Sequence, residues 1–318
     1  MSDDQKAFIR LLFKVRVYES DGQAYEKLFC DIMERHNQNF DRVKPEGSLG
    51  DRKNDGYDKT RGCYYQVYAP EDADKSISNA VNKATEDFNG LKDFWDAISP
   101  IKSYYFVLND KFKGTYPKIE STLSKLKKDH NLDETGLFRA RHLMDKLFEL
   151  PDDAIIEIIG YYPRDDVATT VNYSILGEVI EHILKAQTPI SLAQSLVSPE
   201  FEEKIKFNRL GKRTRGMLEN ASYQVGHIDH FFELDGQFVK QELRDKLNGM
   251  YLATKEEPEG IEDEHESSDV MFFRILTQAG GMQSKQYQDA ALVVMAYFFE
   301  ACDIFETPPK DVLNVDAE

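Results

Sequence analysis

Two short runs crowded with aromatic and β-branched residues, 63–69 (CYYQVYA) and 102–108 (KSYYFVL), constrain the fold most. They bracket residues 77–98, where Ala80, Ala84, Phe88, Leu91 and Trp95 recur at helical spacing until Pro100 stops the pattern. Strands separated by a helix pair side by side through a crossover, which makes them parallel. Upstream, Phe8, Leu11, Leu12 and Val15, then Tyr25, Leu28, Phe29, Ile32 and Met33, mark apolar faces on either side of Asp21-Gly22. They predict two helices or one kinked helix. Residues 40–44 read as a short strand and 45–54 as a turn-rich segment, so that with 63–69 they form a hairpin or meander. Residues 116–130 predict a helix, 137–140 a last strand and 142–159 a helical run. The order α, β, β, β, α, β, α, β implies a mixed α/β sheet covered by helices and closing near Gly160.

From Tyr161 onward the strand signals vanish. Helical periodicity is read over 173–186, 191–196, 200–218, 223–232, 238–251, 271–276 and 286–305, predicting an all-α domain over 161–318 after an α/β domain over 1–160. Residues 255–269 are dense in Asp and Glu and nearly devoid of apolar side chains, which predicts a solvated loop.

With 41% apolar and 31% charged residues, the 318-residue chain fits neither a disordered nor an integral membrane protein. Its longest apolar run, 290–299, is shorter than the roughly 18 residues a bilayer span needs, and MSDDQKAF carries no signal pattern. The expectation is a cytoplasmic protein with no membrane contact. Cys30, Cys63 and Cys302 lack C-x-x-C spacing, so buried reduced thiols are expected rather than a zinc site. The net charge of −17 is unevenly spread: residues 1–150 hold 26 Asp/Glu and 25 Lys/Arg, residues 151–318 hold 31 and 15. A nucleic acid, repelled by the second part, would meet the first.

The densest polar cluster outside the acidic segment is residues 47–57 (GSLGDRKNDGY), followed by Gln66 within an apolar strand. Neighbouring strands lie about 4.8 Å apart, so a carboxylate ending one and an amide on the next can share a cation. Magnesium accepts one or two carboxylates, an amide oxygen and a carbonyl while keeping several waters. Asp55, Gln66 and the Val67 carbonyl meet that description, and Glu26 on the second helix offers a further carboxylate. Asn54-Asp55-Gly56 is also ordinary turn chemistry, and Glu26 alone reads as a solvated helix residue. Gln66 is harder to set aside, because a buried amide needs partners.

The order of a helix with Glu26, a short strand, residues 50–57 (GDRKNDGY) and residues 64–71 (YYQVYAPE) before a long helix resembles the restriction-endonuclease-like, PD-(D/E)XK core in its Mrr-like variants. The resemblance implies Asp55 as the metal-binding aspartate, Gln66 at the second acidic position, Glu26 as the helix carboxylate, and Mg2+ or Mn2+ as cofactor. The family places a lysine two residues after Gln66, where this chain has Tyr68. Lys83 on the following helix and Lys53 beside Asp55 are the candidates to replace it. In the second half, residues 203–208 (EKIKFN), 290–300 (AALVVMAYFFE) and 302–306 (CDIFE) resemble the C-terminal domain of effectors in ABC-three-component anti-phage systems, including Lamassu.

Together these resemblances imply a nuclease effector that cleaves double-stranded DNA through its first domain. Its second domain would dock on an SMC-like ABC ATPase and a small middle subunit. The alternative is a catalytically inactive DNA-binding or scaffold subunit of such a complex, favoured by Tyr68. Phe298, Phe299, Ile304 and Phe305 are candidates for a docking surface as well as for a buried helix. The basic residues Lys204, Lys206, Arg209, Lys212, Arg213 and Arg215 are candidates to meet an acidic partner or phosphate. No G-x-S-x-G, P-loop or H-E-x-x-H pattern supports another hydrolase class.

Overall fold

The computed structural model describes residues 1–47, 50–163, 169–188, 201–235, 237–255, 264–301 and 304–309. They fall into two compact units, Met1–Gly160 and Tyr161–Glu318.

The first unit opens with α1 (Asp3–Tyr18), whose N-terminus carries a reciprocal cap in which Ser2 accepts from the Gln5 amide. Gly22, at φ 49°, turns the chain into α2 (Gln23–His36), so these are two separate helices. A five-stranded sheet follows in the order β1 (Phe40–Arg42), β2 (Gly56–Asp58), β3 (Cys63–Tyr68), β4 (Ser103–Leu108), β5 (Glu134–Arg139). The first three strands form an antiparallel meander, while β3, β4 and β5 run parallel. The crossovers are α3 (Ile77–Trp95) and α4 (Pro117–Asp129), and α5 (Ala140–Phe148) and α6 (Asp152–Ile159) close the unit. The sheet is therefore mixed, as the strand–helix–strand order requires.

Alternation along β3 divides its side chains between two cores. Tyr64 joins Ala84, Phe88, Leu91, Tyr104 and Leu123 in the core beneath α3 and α4, and Tyr68 packs against it. Tyr65 packs on the other side with Phe29 of α2, Phe40 and Phe138. Gly56 admits no side chain because the Phe40 ring lies 2.2 Å from where a Cβ would stand.

Several boundaries differ from the sequence reading. The strand expected over 40–44 ends at Arg42, and the one expected over 137–140 is β5, starting at Glu134 and giving way to α5 at Ala140. The helical run over 142–159 is two helices, because Pro151, which has no N–H to continue the ladder, separates them.

In the second unit every regular element among the described residues is a helix. These are α7 (Tyr173–Lys185), α8 (Phe201–Phe207), α9 (Lys212–Ser222), α10 (Gly226–Asp235), α11 (Gln237–Lys255), α12 (Glu264–Gln278) and α13 (Lys285–Glu300). The single helix expected over 200–218 is α8 and α9, separated at Gly211. Helix α12 starts inside the segment expected to be a solvated loop: Glu264 and Glu266 occupy its first turn, where carboxylates suit the helix dipole, and residues 256–263 lie outside the described part. The helix expected over 191–196, and Cys302, lie outside it as well. Cys30 and Cys63 are buried and free.

Phe298, Phe299 and Ile304 are fully buried and Phe305 nearly so. The docking reading of those four residues is corrected: they are the core of the helical unit. Of the basic stretch, Lys204 is absorbed inside that core, whereas Lys206, Arg209, Lys212 and Arg215 are exposed. Lys204 is 1% exposed and donates to the carbonyls of Phe299 (2.6 Å) and Ile304 (2.7 Å). Arg209 pairs with Glu264, and Arg215 with Glu202 and Glu219. Among the described residues no helix is long and apolar enough to cross a membrane.

Candidate metal centre

Asp55 sits where the meander is irregular. Gly56 is the register partner of Tyr65, yet the Asp55 amide also donates to the Tyr65 carbonyl at 3.1 Å. Two residues of one strand thus oppose one of the other, the pattern of a β-bulge, which re-aims the side chain of the extra residue. The re-aimed carboxylate crosses to β3, where its Oδ2 accepts the Val67 N–H at 2.6 Å. That bond places Asp55 beside Gln66 and Val67. In an extended strand the N–H and C=O of one residue point to the same edge, so the Val67 carbonyl shares the edge that Asp55 occupies.

The pair is buried, Asp55 at 3% and Gln66 at 5% exposure. Burial pushes the Asp55 carboxyl up to about 8; Glu26 and Asp51 push it the same way, against the pull of the Val67 amide and Lys83. Oε1 of Gln66 has no hydrogen-bond partner, and neither polar atom of the fully buried Asn54 has one. A buried carboxylate with a raised pKa and an orphaned amide oxygen on the strand it bonds to are groups of the kind that a hard divalent cation satisfies. The donors available there, the Asp55 carboxylate, the Gln66 amide oxygen and the Val67 carbonyl, are hard oxygens of the type that Mg2+ or Mn2+ takes.

Glu26 stands half-buried on α2; burial and then Asp51 raise its carboxyl above the ordinary value, while Arg42 lowers it. It therefore shares the electrostatic field of Asp55 from the rim of the site. Among the described residues no three His, Cys, Asp or Glu side chains converge closely enough to hold a metal by themselves. The Cys30 thiol donates to the Asp55 carbonyl at 3.6 Å, and burial pushes it up to about 12, so it stays protonated.

Both candidate lysines arrive at one residue that the sequence reading passed over. Asp87 of α3 is 1% exposed; Lys53 Nζ lies 2.8 Å from its Oδ1 and Lys83 Nζ 2.6 Å from its Oδ2. The Lys83 ammonium is also 6.0 Å from the ring centre of Tyr68, the residue that stands where the resembled family has lysine. A signal for Asp87 was present: a carboxylate on the buried face defined by Ala80, Ala84, Phe88 and Leu91, one turn after a lysine. Asn54 gave no comparable signal, since its burial depends on how the loop folds back.

The helical unit carries the information on kinship. Residues 174–306 match a family model described as CTD10, the C-terminal domain 10 of the ABC-three component (ABC-3C) systems. Within the second unit, residues 174–306 are thus similar to a domain found as one component of ABC-three-component systems. No curated protein and no solved structure matches the chain.

Proposed function

We propose that this protein is the metal-dependent nuclease effector of an ABC-three-component anti-phage complex of Lamassu type. In this reading its first unit cleaves double-stranded DNA, and its helical unit docks on an SMC-like ABC ATPase and a small middle subunit that restrain it until triggered. The observation that carries the nuclease reading is the Asp55 carboxylate bonded to the Val67 amide, one residue along β3 from Gln66, whose buried Oε1 has no partner. Asp55, Gln66 and the Val67 carbonyl would hold the cation, with Glu26 supplementing them from α2. When bound, the ion would supply Lewis acidity at the phosphate and lower the pKa of a coordinated water. Lys83 supplies positive charge toward the negative charge that develops on the phosphate, the role left open by Tyr68. Hydrolysis adds water across a phosphodiester: the water oxygen bonds to phosphorus, one P–O ester bond breaks, and the leaving oxygen takes up a proton.

Incubating plasmid DNA with the protein and Mg2+ or Mn2+, alone and with its co-expressed partners, tests this. Cleavage that disappears in Asp55→Ala and Gln66→Ala is the expected result. A second reading, an inactive DNA-binding or scaffold subunit, is favoured by the engagement of both candidate lysines with Asp87. Under that reading no assembly cuts DNA, and both variants protect against phage as well as the wild type.

A further inference from the structure

The loop that delivers Asp55 lies along one stripe of α3. Arg52 stacks over the ring of Phe94 at 4.9 Å, and Lys53 pairs with Asp87. Between those points the Lys53 stem crosses Gly90, where a Cβ would stand 3.1 Å from Lys53 Cγ. Lys83, Asp87, Gly90 and Phe94 recur at intervals of four, three and four, which keeps them on one face. Two features are unfavourable in isolation. Arg52 (φ 56°) and Lys53 (φ 64°) are consecutive non-glycine residues in the left-handed region, and Gly90 occupies a helix interior, where alanine is the better residue. Each is accounted for by the other: the left-handed backbone lays the Lys53 stem on α3, and a methyl at 90 would press on that stem, which would have to give by a few tenths of an ångström.

We infer that Asp87 is a positioning residue with two tasks: through Lys53 it clips the loop carrying Asp55 onto α3, and through Lys83 it holds that ammonium beside the same carboxylate. Lys53 is then the fastener and Lys83 the cation available to substrate. The distinction follows from placement: the Lys53 stem lies along Gly90 and ties its loop to α3, whereas Lys83 sits a full turn before Asp87 on the same helix, with its ammonium 6.0 Å from the Tyr68 ring centre. The kinetic part of this inference rests on the nuclease reading; the clip itself does not.

The test is therefore made first without catalysis, on the full chain. Gly90→Ala is compared in the wild type and in Lys53→Ala by thermal melting. The clip requires that alanine at 90 raise the midpoint more in the Lys53→Ala background, where no stem is displaced; equal shifts in both backgrounds overturn it. Hydrogen exchange at residues 51–55 should rise about tenfold in Asp87→Asn while β4 stays protected, and unchanged loop exchange also overturns the inference. Titration with Mn2+ alone should show weakened binding in Lys53→Met and near-normal binding in Lys83→Met. If the protein cuts DNA, Lys83→Met should lose kcat with its metal requirement intact, Lys53→Met should need more metal, and Asp87→Glu should recover part of what Asp87→Asn loses. Absence of cutting in every assembly would remove the nuclease reading while the melting and exchange results still decide the clip.

Discussion

Single side chains in this protein carry large and separable effects. Gln66 is the informative one: its oxygen is buried and unpartnered one residue from the amide that Asp55 accepts, and a carboxylate of the same shape would serve a cation at least as well. Gln66→Glu is expected to keep metal-dependent cleavage and Gln66→Leu to abolish it, measured as plasmid nicking at saturating Mg2+. Lys204 is the corresponding residue of the helical unit. Its buried ammonium closes two carbonyls at the end of α13, and bonds to charged groups contribute about 1.5–3 kcal/mol each. Lys204→Met should therefore lower stability by about 2 kcal/mol or more, read from the denaturant midpoint. Asp58 gives a pH signature. Burial raises its carboxyl, but bonds from Thr60, Asn37 and the Arg61 amide outweigh it and leave the group below its ordinary value. A lowered folded value means stabilisation that is fully present above the unfolded carboxylate range and is lost as pH falls through the folded one. The stability gap between wild type and Asp58→Asn should thus be flat from pH 7 to about 4.5 and shrink below it.

At the scale of elements, the meander β1–β2–β3 depends on one close approach. Gly56→Ala would drive a methyl into the Phe40 ring, and overpacking of this kind costs about 1–3 kcal/mol. Urea unfolding should show that loss, and Phe40→Ala combined with Gly56→Ala should lose less than the sum of the two separate changes. The meander, the crossover helix and the parallel strands were legible in the sequence, the strands from runs of aromatic and β-branched residues and α3 from apolar residues at helical spacing. That Asp55 lies against the strand carrying Gln66 was legible because strand adjacency follows from the short turn between them. Boundaries were less so: the split at Pro151 was passed over within a strongly apolar run, and the start of α12 was hidden by acidic residues that suit a helix N-terminus as well as a loop. The role of Asp87 could not be read locally, since its partner Lys53 approaches through a left-handed backbone that no periodicity announces. Within the basic stretch Lys204 alone is buried, and nothing local distinguishes it from its exposed neighbours. Composition registers charge, whereas the fold decides whether an ammonium ends in water or on a carbonyl.

Over the whole molecule, charge and kinship divide at the same place. Residues 1–150 are near neutral and residues 151–318 carry a net −16, while the family match lies wholly in the second unit. A duplex that binds the first unit does so with a polyanion tethered to it. Residues 1–160, which contain a core of their own, should bind DNA more tightly than the full chain in low salt. That difference should fade toward about 0.3 M as the Debye length contracts to a few ångströms. Fluorescence anisotropy on a labelled duplex reads this directly, and equal affinities in low salt would show that the tethered charge does not reach the binding face.

Gly90 has a consequence that extends to other sequences of this kind. Glycine weakens a helix interior, and here its place is matched by the Lys53 side chain, whose Cγ would stand 3.1 Å from an added methyl. The two positions should therefore vary together among descendants of a common ancestor: wherever 53 shortens, 90 is free to drift to alanine, and wherever 53 stays long, 90 stays bare.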